Sequence, residues 1–410
     1  MSVSQPQPGA AKAFKILVLQ GDHIGPEIMA EVLPLFQLVQ SRYSVAIETV
    51  ERLIGGSCLD THNCPIQDST LEEASTCHAV LLGSVGGPKW DVGDSSRRPE
   101  TGILRMRKHL NLYANVRPAR IVAERQLQLS SLKDDVVRGV NIITLRENAG
   151  GIYFGRKQEP DSQAMKADRH DSSIPLASDL CEYTREEVAR LTRVAAALSL
   201  ANGADPLPII SVDKANVMAT SRLWRQVVTE TIHDEFPQLV PKLSHHLVDS
   251  AAMVLARDPR KLNGVVLTEN VSASNQHPLS RCSMALFGDI LSDLASVIPG
   301  SLGLLGSAEI DAPPTLSSSG RLPVGVYQPV SGSAPDIAGK GIANPIGMFE
   351  SFGLMCRWSL GLPEMADAID AAIKRSLETG QCTRDVGGSL STQQAGSQMR
   401  QWIEESLSSA

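Results

Sequence analysis

Three observations in the 410-residue sequence predict an α/β protein with a largely parallel central sheet. Short apolar runs bounded by turn residues recur along the chain, as buried strands do. Helix-like stretches alternate with them, the pattern of β-α-β units. Several runs also end in a charged residue beside a Gly or Pro turn, where open α/β sheets commonly place function.

The first run, residues 14–19 (FKILVL), leads through Gln20-Gly21-Asp22 to Pro26, which opens a helical stretch to about Gln40. Further strand-like runs follow at 79–83 (AVLLG), 139–145 (GVNIITL), 208–212 (PIISV), 243–248 (LSHHLV) and 264–268 (GVVLT). Residues 184–201 and 219–236 read as helices between them. Polar low-complexity patches fall at 159–173 and 313–320, and there is no internal repeat. A chain of this length calls for two domains, or one large body with a second lobe.

Composition narrows the function classes. The chain is 42% hydrophobic and 20% charged, as ordinary globular proteins are. Lys plus Arg numbers 38 against 45 Asp plus Glu, a net charge of −7 without a dense basic run. No nucleic acid and no anionic membrane surface is therefore expected as main partner. The seven cysteines are scattered and form no CxxC pair, so free thiols in a reducing compartment are expected. Residues 1–12 have neither the apolar core of a signal peptide nor the Arg-rich pattern of a transit peptide, and no run reaches membrane-spanning length. They read as a disordered leader, and the expected location is cytoplasmic.

The usual nucleotide motifs are absent. No GxGxxG follows the first strand, no GxxxxGK[ST] occurs, and Gly339-Lys340-Gly341 is a near-miss without the third glycine. A dinucleotide, if bound, is held without the Rossmann fingerprint.

Candidate chemistry rests on a few charged residues. Asp289 and Asp293, in FGDILSDL, fall one turn apart on a helix face. They are either a solvated acidic face near a helix N-terminus or two ligands of a cation. Asp249 follows the run LSHHLV, and three Asp carboxylates would suit a hard ion such as Mg²⁺ or Mn²⁺. Arg107, Arg117 and Arg146 could grip a dicarboxylate through their guanidinium forks, with Arg105 nearby; surface arginines are the alternative. Ile103 and Leu104, one turn before Arg107, could offer an apolar patch. Tyr153 and Lys214 are candidate proton carriers, and a structural Lys214 paired with Asp213 is the alternative.

Taken in order, GDHIGPEI (21–28), LLGSVGGPKWD (81–91), RPETGILRMRKHLNLYANVRP (98–118), LRENAGGIYFG (145–155), SVDKANV (211–217), DSAAM (249–253), FGDILSDLASVIPGSLGLL (287–305) and GSAPDIAGKGIANP (332–345) resemble the 3-isopropylmalate dehydrogenase family. The resemblance runs from residue 14 to about 395, and isocitrate, homoisocitrate and tartrate dehydrogenases share the wider superfamily.

The resemblance implies a two-domain fold: an NAD-binding domain of residues 1–112 and 300–410, and a substrate, metal and dimerisation domain of residues 113–299. It implies that Arg107, Arg117 and Arg146 hold the malate carboxylates and that Asp249, Asp289 and Asp293 bind Mg²⁺ or Mn²⁺. Lys214, helped by Asp249, would take the hydroxyl proton, and Tyr153 would protonate the enol once CO₂ leaves. Gly86, Gly87, Glu100, Gly332, Ser333, Ala334, Asp336 and Asn344 would line the NAD site, with Asp336 disfavouring a 2′-phosphate. Ile103 would meet an apolar 3-substituent. Lys214 and Asp249 would reach into the neighbouring subunit's site, which makes a homodimer with shared sites the expected assembly.

The sequence departs from this pattern in places. His23 replaces a Gly, Ser331 replaces a His, and residues 271–285 are inserted between Thr268-Glu269-Asn270 and the Asp289 helix. The insert is either a tolerated surface loop or a defect that harms the metal site. Residues 348–358 (MFESFGLMCRW) replace an Ala- and Met-rich stretch. Two alternatives follow: a relative that oxidises another 3-substituted malate such as 3-benzylmalate, or a catalytically impaired dimeric member.

Overall fold

The computed structural model describes residues 12–90, 97–153, 155–158, 178–270, 287–315 and 321–409. The insert at 271–285, residues 1–11 and the polar patch at 159–173 lie outside them. The chain forms two compact units, Met1–Leu112, Arg117–Gly139 and Ser296–Ala410 in the first, Tyr113–Val116 and Val140–Ala295 in the second. Residues 117–139 therefore pack with the first unit, although the sequence reading placed them in the segment 113–299.

The first unit begins with β1 (Ala13–Gly21), α1 (Gly25–Val32), α2 (Leu35–Tyr43), β2 (Ala46–Arg52), α3 (Gly56–His62), α4 (Asp68–Thr76), β3 (Ala79–Ser84) and α5 (Glu100–His109). β4 (Ala114–Arg120) gives its residues 117–120 to this unit, followed by α6 (Asp134–Val137). The second unit takes up β5 (Asn141–Glu147), β6 (Lys157–Gln158), β7 (Ser178–Asp179), α7 (Arg185–Leu200), β8 (Ile209–Asp213) and α8 (Ala219–Glu235). It continues with β9 (Leu243–Leu247), α9 (Val248–Arg257), β10 (Gly264–Thr268) and α10 (Phe287–Val297). The chain then returns to the first unit with β11 (Gly306–Ile310), β12 (Gly325–Pro329), α11 (Ile346–Met355), α12 (Pro363–Thr379) and α13 (Thr392–Ser409).

In the first unit the strand order is β2-β1-β3-β12-β11-β4. β1 runs parallel to both β2 and β3, β12 runs parallel to β3, and β11–β12 is an antiparallel pair. In the second unit the order is β4-β5-β10-β8-β9, with β10 parallel to β5 and β8, and β8 parallel to β9. The expected largely parallel α/β architecture is present. β3, β8 and β10 are buried at every position, which explains their unbroken apolar runs: helices cover both faces.

One expected element is two. The helical stretch from Pro26 to Gln40 breaks between Val32 and Leu35, because Pro34 offers no N–H to the preceding turn and its ring crowds the carbonyl four residues back. α7 matches its expected span, and Thr184 caps it in a reciprocal box with Glu187, whose side chain accepts from the Thr184 N–H at 2.7 Å. Lys12, expected within the leader, donates to the Leu360 carbonyl at 3.3 Å.

α11 and the turn after it carry residues 348–358, which depart from the family pattern, and all of these but Leu354 and Arg357 are buried. Phe352 stacks on Phe36 with ring centroids 5.1 Å apart. These substitutions fill the core of the first unit.

Candidate active site

The first unit gathers the residues expected to meet the dinucleotide. β1 ends at Gly21, where φ is +77° and an added Cβ would lie 1.9 Å from the Ser84 carbonyl oxygen, so no Cβ fits. The turn delivers Asp22, buried, whose carboxylate accepts the backbone N–H groups of Gly56 (2.8 Å), Ser57 (2.8 Å) and Gly86 (2.9 Å). One short acidic side chain thus fixes three backbone segments with charge-assisted bonds.

Gly86 and Gly87 follow β3 with φ of +115° and +154°. A Cβ on Gly86 would lie 2.6 Å from Glu100 Oε1, and one on Gly87 would lie 2.3 Å from His23 Nε2. The loop therefore presents bare backbone, with Glu100 on one side and His23 on the other. His23 takes a φ of +52°, which explains why glycine suits its place, and its ring sits 5.6 Å from that of Trp90.

The Gly332–Asp336 segment meets the same turn: Ile24 N–H donates to the Ser333 carbonyl at 3.1 Å. Ala334 has a φ of +41°, and Asp336 is exposed. A Cβ on Gly332 would meet nothing within 4 Å, which leaves open space at the loop. Glu27 of α1 holds the next stretch by accepting from Gly339 N–H (3.2 Å) and Thr392 Oγ1 (2.7 Å). Asn344 donates to Asp385 at 2.9 Å and accepts from Ile346 N–H at 3.0 Å. Glycine backbone, one exposed carboxylate and braced loops fit an adenine dinucleotide held without a Rossmann turn.

On α5, Ile103 and Arg107 are four residues apart and share a face. Ile103 packs partly on the apolar core of β1 and β3. Arg107 is drawn into a fork with Glu309 of β11: Nε donates to Oε2 at 2.7 Å and Nη2 donates to Oε1 at 2.5 Å. Arg117 is half-buried on β4.

The second unit carries the remaining arginine, the lysine and the acids. Arg146, near the end of β5, is 7% exposed, and its Nε and Nη2 both donate to Asn270 Oδ1, at 3.0 and 2.7 Å. Asn270 is itself fixed, since its amide donates to the Gly150 carbonyl at 3.1 Å and its N–H to Tyr183 Oη at 2.7 Å. Glu147, wholly buried beside Arg146, accepts from Gly150 N–H at 2.6 Å and pairs with Arg190 at 3.3 Å. Burial pushes its pKa up, partly offset by those donors.

Lys214 pairs with Asp249 at 2.9 Å, not with Asp213. Asp213, wholly buried at the end of β8, is taken by the Arg225 fork, with Nε and Nη2 each at 2.8 Å. Asp249 lies in the first turn of α9 and is 61% exposed, and the hydrogen bond from Lys214 holds its carboxyl below the ordinary range. Gly288 lets the first turn of α10 approach, because a Cβ there would lie 2.7 Å from the Glu269 carbonyl and 3.0 Å from Arg146 Cγ.

Asp289 and Asp293 both lie on α10, one turn apart, and Asp293 is exposed. The side chains of Asp289 and Tyr153 lie outside the described residues. Among the described residues no three His, Cys, Asp or Glu side chains lie close enough together to hold an ion. The acids themselves fit the expected ion: hard oxygen donors, with Asp249 kept deprotonated.

Sequence reasoning did not single out Glu269 or Glu309. Glu269 is wholly buried, accepts from the Ser221 hydroxyl and the Lys214 N–H, and is pushed up to about 8, mainly by burial. A carboxyl between apolar β10 and the arginine-binding Asn270 was the one available cue.

The chain matches the isocitrate/isopropylmalate dehydrogenase family over residues 15–401. A 3-isopropylmalate dehydrogenase of Zymoseptoria tritici is 45% identical over 395 residues, spanning 96% of this chain and 99% of that one. A β-decarboxylating dehydrogenase structure from Thermococcus kodakarensis is similar at a TM-score of 0.70 and 31% identity, covering 96% of each chain. An isocitrate dehydrogenase structure from Methylococcus capsulatus is similar at a TM-score of 0.73 and 27% identity, covering 95% of this chain and 99% of that one.

Proposed function

The chain belongs to the isocitrate/isopropylmalate dehydrogenase family, and on that premise we propose the reaction it performs and the residues that perform it. It oxidises (2R,3S)-3-isopropylmalate at C2 and decarboxylates the product to 4-methyl-2-oxopentanoate, a step of leucine biosynthesis. The near-full-length identity with 3-isopropylmalate dehydrogenases carries this reading. Ile103, on the same face of α5 as Arg107, supports an apolar 3-substituent.

Asp249, Asp289 and Asp293 would hold a Mg²⁺ or Mn²⁺ ion, which would supply Lewis-acid polarisation of the substrate's 2-hydroxyl and adjacent carboxylate, and a bound NAD would accept the hydride. Gly86, Gly87, Glu100, Gly332, Ser333, Ala334 and Asn344 line the dinucleotide, while Asp336 takes the ribose hydroxyls and repels a 2′-phosphate. Arg107, Arg117 and Arg146 hold the two malate carboxylates by charge-assisted bonds. The Asn270 and Glu309 contacts orient two of these guanidinium groups before substrate arrives, which lowers the ordering cost of binding.

Lys214 removes the C2 hydroxyl proton as hydride leaves. Asp249 holds the amine at 2.9 Å while the two are paired, so engagement of Asp249 elsewhere would leave Lys214 to turn to the substrate hydroxyl. Loss of CO₂ from the resulting 2-oxo acid leaves an enol, and Tyr153 delivers a proton to C3.

Lys214 and Asp249 serve the neighbouring copy's site in a homodimer. Exposed apolar side chains on the second unit support such a face, Met253 of α9 at 72% and Leu294 of α10 at 46% exposure among them. Among the described residues no helix is long and apolar enough to cross a membrane. We place the enzyme in the cytoplasm.

Steady-state NADH formation from 3-isopropylmalate, isocitrate and tartrate, with and without Mg²⁺, tests the reading. Preference for 3-isopropylmalate, lost on chelation, is expected. Preference for isocitrate would overturn it.

A further inference from the structure

Lys214 follows directly on Asp213, an acid that could hold its amine in an ion pair and so withdraw it from proton transfer. Around this lysine stand Asp213, Glu269 and Asp249, and Asp249 is the one that takes the amine, at 2.9 Å. Glu269 faces the Lys214 N–H but keeps its proton up to about 8, so at neutral pH it offers the amine no charge. Asp213 is held back in another way.

The Asp213 side chain has no exposed surface, and the Arg225 guanidinium of α8 closes on it as a fork. Nε donates to Oδ2 and Nη2 to Oδ1, each at 2.8 Å. Oδ1 also accepts the Ala215 N–H at 2.9 Å, which ties the carboxylate to the turn just past Lys214. Arg222, three residues before Arg225, braces the same turn: its Nη1 donates to the Ala215 and Val217 carbonyls, each at 3.3 Å. Two parallel charge-assisted bonds match the plane of a carboxylate and engage both of its oxygens.

This occupancy has a consequence for the neighbouring lysine. A buried carboxylate stripped of its cation is costly, and a cation within reach relieves that cost. The nearest along the chain is Lys214, whose flexible four-carbon stem could fold back to Asp213. The capture would matter most when Asp249 turns elsewhere, since that is the moment at which the amine must meet the substrate.

We infer that Arg225 is a positioning residue for Lys214: by occupying Asp213 it denies the amine to that acid and leaves it to pass between Asp249 and the substrate hydroxyl. The inference rests on the reading that Lys214 takes the hydroxyl proton.

The test is steady-state kinetics on the full-length enzyme with saturating NAD and Mg²⁺, each variant's thermal unfolding midpoint being checked to lie above the assay temperature. R225M keeps much of the stem and removes the fork. Its kcat should fall about tenfold with KM for 3-isopropylmalate and NAD within about twofold, because a captured amine must be released in every turnover. D213N removes the capturing charge and keeps an oxygen for the Ala215 N–H, so D213N/R225M should recover kcat to within about threefold of the parent. In a K214M background R225M should leave the residual kcat unchanged, because no amine is there to be captured, whereas a merely structural fork would lower it there too.

A parental kcat in R225M would overturn the inference, as would a raised KM at an unchanged kcat. So would a loss that D213N does not recover, or one of equal size in the K214M background. If R225M does not fold, R225K decides, since it keeps the charge but not the fork: a kcat lowered about threefold and recovered by D213N supports the assignment, and a parental kcat refutes it. K214M alone at the parental kcat is a different failure. It would withdraw Lys214 from proton transfer, and the inference with it.

Discussion

Replacing Glu269 by Gln should make the protein's stability less dependent on pH, in a direction opposite to ordinary acid denaturation. Glu269 is wholly buried at the end of β10, and burial raises its pKa from 4.5 to about 8, with Asp213 adding to the effect. The folded protein therefore keeps this proton between pH 4.5 and about 8, while the unfolded chain has released it. Through that window the unfolded state gains by ionising, and the folded state loses relative stability at ~1.4 kcal/mol per pH unit. The loss is absent below the lower value and complete above the upper one. Its full size is on the order of 5 kcal/mol, and on the order of 3 kcal/mol falls between pH 5.5 and 8.5.

Gln cannot ionise in either state, so E269Q should be free of this term and should gain on the parent as pH rises. Equilibrium urea unfolding at pH 5.5, 7 and 8.5, followed by fluorescence of the buried Trp224, measures it. The stability difference between variant and parent should move in favour of E269Q by on the order of 3 kcal/mol across that range. A difference constant with pH would refute the reasoning, because it would mean that Glu269 titrates alike in the folded and unfolded chains.

Other predictions follow from the same geometry. K214M should lower kcat by about two to four orders of magnitude with KM for 3-isopropylmalate little changed, as measured by steady-state kinetics. D336A should raise kcat/KM with NADP relative to NAD by about tenfold, because an exposed carboxylate that rejects a 2′-phosphate is gone. R120A should cost about 3 kcal/mol in denaturant unfolding, since Glu350 is 7% exposed and would lose the guanidinium that neutralises it at 2.8 Å.

Much of this molecule could be read from the chain because its buried parallel strands are unbroken apolar runs. The runs around β3, β8 and β10 are legible for that reason, as is the helix that begins after Thr184. The glycines at 86 and 87 were legible only through the resemblance, and their positive φ of +115° and +154° belongs to the structure. Pairings between distant residues were not. Arg107 and Glu309 are 202 positions apart, and no local pattern links them. Asp213 adjoins Lys214 in sequence, yet Asp213 closes β8 and takes Arg225, while Lys214 lies past the strand and takes Asp249. The break at Pro34 was visible in the sequence, but the apolar period continues across it and masked the interruption.

In the proposed reaction a single enzyme couples oxidation at C2 to loss of CO₂ from a malate with an apolar 3-substituent. Simultaneous measurement of NADH absorbance and released CO₂ on 3-isopropylmalate, with Mg²⁺ present, tests it most directly. Equal amounts of both are expected throughout the progress curve, and neither after chelation. NADH without CO₂, or CO₂ and NADH from isocitrate alone, would contradict it.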